Sequence, residues 1–223
     1  MNLGEAMTYV LKHRGSSLIQ EFFKDDMKSI LADILSESKN FLSMSKRGLQ
    51  NVSIKDFLAK IPEAGSEILE ITKVMPTRMK KGFSAFHQDI LSEIENLHDP
   101  KDKAIFCIKV LGVLTSSTLT TVYNLQGQRK ELVLGRLRLK NAFAQFLVTE
   151  FILRTLRLFI KRFLGEMEKE LTSVADLDQV RYFKRLLDST APLADGPVTS
   201  EDDPAFRVVD RLRRAILIGD DEP

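Results

Sequence analysis

The side chains able to do chemistry are few and scattered. The three histidines, His13, His87 and His98, show no H-x-x-x-H spacing, which would set two imidazoles on one helical face for a metal. His87 and Asp89 stand two positions apart, too near to share a face of a helix. The single cysteine, Cys107, lies in an apolar run. Such a thiol behaves as a small hydrophobe and has no disulfide partner within the chain. Gly82–Phe83–Ser84–Ala85 begins like a nucleophile elbow, but Phe86 occupies the second glycine position, so the strained turn that would expose the serine is not encoded. No G-x-G-x-x-G or Walker A pattern occurs to bring backbone amides against phosphate. Carboxylates are abundant, yet on helical faces they serve as solvated partners of lysine. These residues identify no catalytic site, no metal and no cofactor, and a non-enzymatic role is expected.

Basic side chains offer the remaining chemistry. The formal charge is +2 over 223 residues, but it is unevenly spread. Residues 1–128 hold 16 basic and 15 acidic groups, residues 129–165 hold 9 and 2, and residues 166–223 hold 8 and 14. The middle segment is therefore +7 and the last −6. The candidates for anion or lipid contact are Arg129, Arg136, Arg138, Lys140, Arg154, Arg157 and Lys161. They could meet lipid or nucleic-acid phosphates, meet the acidic end of their own chain, or form a solvated face. Nucleic acid is the weaker partner. Tryptophan is absent, tyrosine numbers 3, and the phenylalanines follow apolar periodicity rather than forming stacking platforms.

The elements that must position these groups read as helices. Leucine supplies 31 residues, and no proline interrupts the 91 positions between Pro100 and Pro192. Glycine and proline total 18, too few for a turn-rich sandwich or barrel. Short helices are expected over 3–13, ending at Gly15, and near 53–62. Longer ones are expected at about 17–45, opened by a Ser17/Gln20 capping box, and at 77–97. Ala104 to Tyr123 holds one charge, Lys109, and its length makes it a marginal membrane-span candidate, against which stands a buried central helix. Asn141 to Leu164 confines Glu150, Arg154, Arg157 and Lys161 to a narrow stripe, so the helix must be enclosed almost all round. If that helix extends back through 129–140, a single basic ridge over 129–162 results. A further helix begins at Asp176.

Ser189 to Asp203 contains Pro192, Gly196, Pro197 and acids without periodicity and reads as a flexible linker. Asp203–Pro204 then starts an amphipathic helix of about 204–218. Phe206, Val209, Leu212 and Ile216 form one face, and Arg207, Arg211 and Arg214 another. It either docks on a partner through its apolar anchors or folds back onto its own domain.

The expected fold is all-α. A single bundle of six to eight helices occupies 1–189, centred on two apolar helices at 101–125 and 141–165. An acidic linker follows at 190–203, then a tethered helix with an acidic end at 204–223. The expected function is that of a helical interaction or adaptor protein, its partner another protein or a second copy. Peripheral binding to anionic membrane through the 129–162 ridge, and nucleic-acid regulation, are the alternatives. The opening residues lack a signal-peptide pattern, and Asn2 stands where myristoylation needs glycine, so a cytoplasmic location, with membrane association as a variant, is expected.

Overall fold

Between Pro100 and Pro192 no missing backbone donor breaks a helix, and two long helices fill that stretch. The computed structural model describes residues 1–34, 36, 74–133, 139–188 and 200–217. Among them are seven α-helices and no strand: α1 Leu3–His13, α2 Gly15–Glu21, α3 Met75–Asn96, α4 Pro100–Val133, α5 Leu139–Glu170, α6 Val174–Asp188 and α7 Pro204–Leu217. The protein is thus an all-α bundle. Expected features at 37–73, 189–199 and 218–223 lie outside the described residues.

The first segment differs from expectation at its caps. Asn2 caps α1, its side chain accepting the Glu5 N–H at 2.9 Å while Glu5 accepts the Asn2 N–H at 2.9 Å. The capping box is therefore here and not at Ser17, whose hydroxyl donates to the Arg14 carbonyl instead. The helix expected over 3–13 appears as α1; Gly15 follows its Arg14 cap and also opens α2. A Cβ there would lie 2.4 Å from Nε2 of His87, so a side chain at this position would force the imidazole to move.

A π-helical turn, Phe22–Asp26, continues α2 into the helical residues 27–34. Its extra residue changes which side chains face inward. Phe22 and Met27, five apart, would diverge on a regular α-helix, yet both are buried, as are Leu18, Ile30 and Ile34. The regular spacing instead favoured Phe23, which is half-buried.

α4 and α5 are the centre. Leu111 and Leu114 share a cavity with Phe159, Ile160 and Phe163, whereas Ser117 and Thr118 share a groove with Thr149 and Ile152. One numbering rises as the other falls, so the two helices are antiparallel. At about 1.5 Å per residue they run roughly 50 Å each. α4 ends at Val133 and α5 starts at Leu139. This corrects the idea of one ridge on one helix: Arg129 belongs to α4, and Lys140 to α5.

Around this pair pack α1 and α6, while α3 meets α1, α2 and α7. The aromatic centre joins three segments. Phe83 of α3 lies 4.1 Å from Phe159 of α5, centroid to centroid, and Phe22 lies 5.4 Å from Phe159, edge to face. Such pairs contribute about 0.5–1.5 kcal/mol each beyond burial. No helix among the described residues is long and apolar enough to cross a membrane.

Candidate interaction surface

Among the described helices, α7 has the sharpest division of faces. Asp203 starts it: one carboxyl oxygen accepts the Ala205 N–H at 2.9 Å, and the other accepts from Nζ of Lys109 at 2.6 Å. Burial of this carboxyl is the largest influence and favours the neutral acid. The bonds from Lys109 and Ala205 outweigh it and hold the group below the usual carboxylate range. The cap therefore also ties the helix to α4.

From this start the sequence sends Ala205, Val208, Val209, Leu212 and Ile216 inward, and all five are buried. They pack on α3 and α4. Gly82 of α3 faces this side of α7: a Cβ there would sit 3.5 Å from Ala215, Ile216 and Leu212, in ordinary contact. Three of the expected partner anchors, Val209, Leu212 and Ile216, are thus part of the protein's own core. The helix adopts the folded-back arrangement, and the fourth anchor, Phe206, is half-buried at its edge.

The outer face is polar. Arg207, Arg211, Arg213, Arg214, Asp210 and Phe206 line a groove of about 690 Å³ with Glu93 of α3 and Glu201 of the preceding turn. Arg211 pairs with Asp89 at 3.2 Å, and Arg214 with Asp210 at 2.7 Å. Among the described residues, Arg213, Glu93 and Glu201 have no ion-pair partner, and the charge of Arg207 acts on the nearby Asp203 carboxylate. Arg213 escaped the sequence reading, although it lies seven residues from Phe206 and hence on its face. Glu93 came from a distant segment and Glu201 from the turn before the helix, and neither gave a periodic signal.

The ridge candidates are less available. Glu150 pairs with Arg154 at 2.8 Å, Asp188 pairs with Lys161, and Asp26 pairs with Arg162 at 2.8 Å. Arg157 is half-buried. Arg136 and Arg138 lie outside the described residues, and Arg129 and Lys140 are placed by their helix backbones alone. The acids of α6 and of the π-helical turn thus neutralise part of the ridge from within the chain.

The other reactive groups have structural settings. His87 Nε2 lies 2.7 Å from the Leu11 carbonyl, closing the end of α1. Cys107 is buried, and burial pushes its thiol up to about 12. Among the described residues, no group of three or more histidine, cysteine or acidic side chains could hold a metal ion. A second groove, between α4, α5 and α7, is apolar, about 140 Å³, with Arg213 at its rim. Comparison with family models, curated proteins and solved structures finds no match for this chain.

Proposed function

We propose that the protein is a non-enzymatic helical interaction protein of the cytoplasm, working through the outer face of α7. One observation carries this reading. The helix is anchored by its apolar side, so its arginines and Phe206 form a fixed, outward-facing surface. A rigid surface loses little conformational entropy on binding, and arginine with a partly buried aromatic is the usual composition of an interface centre. The apolar anchors would serve a partner only if the helix left its seat.

The test is a photo-crosslinking residue in place of Arg207 in the full chain, in cells, with Tyr182 of α6 replaced as a control. Both positions are exposed. A discrete adduct at 207 and none at 182 is expected. No adduct at 207 refutes the reading.

Anionic membrane is a second reading, with one observation in its favour. The antiparallel course of α4 and α5 brings the backbones of Arg129 and Lys130 towards the same end of the pair as Lys140. Polybasic groups near anionic lipid gain about 1 kcal/mol each. Flotation with anionic but not neutral vesicles, lost on changing these three to alanine, is the expected result. Equal flotation with both vesicle types removes this reading.

A further inference from the structure

We infer that the partner at the α7 groove is a second copy of this chain, docked about a two-fold axis; the inference rests on the proposed role of that face. The argument is the balance of its charges. Four arginines line the groove, against Glu93, Glu201 and Asp210, and Asp89, paired with Arg211, makes the fourth acid. The surface is therefore neutral in sum while dense in both signs.

A two-fold contact apposes a surface to itself, so each residue i meets j and each j meets i. A surface of one sign repels its copy. This one carries the cations Arg213 and Arg207, the latter beside Asp203, and the anions Glu93 and Glu201. A copy rotated to face it supplies two anions and two cations in return. Phe206, half-buried in the same groove, comes with each copy and adds apolar contact from both sides. Polyanions fit worse, because their phosphates would stand beside the acids of the groove, and like charges in contact discriminate against a partner. A uniformly basic partner would meet the four arginines.

The helix of 14 residues is about 21 Å long, so the contact is small and the dimer weak, in about the micromolar range. Its ion pairs are exposed at the rim, and salt must loosen it.

The experiment is sedimentation equilibrium on the full chain, from about 1 to about 300 μM, at about 0.05 M and about 0.5 M salt. The wild type should dimerise, and at least about tenfold more weakly at the higher salt. Two charge-swapped chains follow: Arg207→Glu with Arg213→Glu, and Glu93→Arg with Glu201→Arg. Each alone should be monomeric, and their equimolar mixture should restore the dimer. If a double variant loses its fold, the single changes Arg213→Glu and Glu201→Arg of exposed side chains carry the same comparison. A wild type monomeric throughout, or a dimer indifferent to both swaps, overturns the inference. The crosslink at position 207 separates the two failures. An adduct of twice the 25.3 kDa chain mass supports the dimer. An adduct of any other mass keeps the interface and discards the second copy. No adduct discards both.

Discussion

Replacing Leu212 by alanine measures whether α7 belongs to the core. Leu212 is 4% exposed. It lies against Gly82 of α3 and also borders the internal cavity formed with Met7, Phe83, Leu111 and Phe159. Truncating a buried leucine costs about 2–5 kcal/mol, more where the surroundings cannot close the vacancy. Here the vacancy would join a cavity already about 30 Å³ in volume, walled by side chains of several helices, so collapse is hindered. About 3–4 kcal/mol is the expected loss. For a chain of this size each kcal/mol lowers Tm by about 2–4 °C, giving a fall of roughly 6–16 °C. Arg207→Ala, on the same helix but outward-facing, should stay within about 0.5 kcal/mol of wild type. Thermal and urea unfolding followed by circular dichroism supply the comparison. If Leu212→Ala melts within about 2 °C of wild type, or if a separate early transition carries the loss, the helix is an appendage and the reasoning fails.

Phe151, wholly buried on α5, should cost about 3–5 kcal/mol on truncation to alanine; an unchanged Tm would remove α5 from the centre. Gly15→Ala sets a methyl 2.4 Å from His87 Nε2 and should lower stability by about 1–3 kcal/mol as the bond to Leu11 yields. In a His87→Ala background the same change should cost less, and strict additivity in that cycle contradicts the clash. Asp203 is held below its ordinary value in the fold. Its contribution is complete above the unfolded value of about 3.9 and is lost as pH falls through the lower, folded value. The stability gap between wild type and Asp203→Asn should therefore shrink as pH drops from about 6 to about 2, and a constant gap speaks against the Lys109 bond. Cys107, buried with its thiol pushed up to about 12, should resist alkylation at pH 8 until denaturant is added; ready labelling of the native chain would contradict its placement.

Much of the helical order was legible because it rests on local rules. The expected helices at 77–97 and 204–218 appear as Met75–Asn96 and Pro204–Leu217, opened by Pro76 and by the Asp203 cap. The two apolar helices proved longer than expected, since their termini carry charge and weak periodicity. What the sequence concealed involves contact between remote segments. Gly15 resembled a stop signal, but the reason for its smallness is His87, seventy-two positions away. The π-helical turn moved Phe22 inward, against a periodicity that assumed 3.6 residues per turn. On α7, periodicity set Val209, Leu212 and Ile216 on one face, misplaced Phe206, which borders the polar groove, and could not say what the apolar face would meet. Glu93 joins Arg213 only through folding, so that part of the candidate surface had no linear signature.

The seat of α7 also bears on how the chain is made. A ribosome delivers α3 and α4 well before α7, whose partners lie roughly a hundred residues upstream. Until it emerges, the nascent bundle presents Gly82, Leu114 and their neighbours as an open apolar trough. Contacts of such sequence separation close late and slowly. Exposed apolar surface in that interval invites self-association. The helix that forms the candidate interface is thus also the closing piece of the core, and chains that stop short of it would depend most on chaperones.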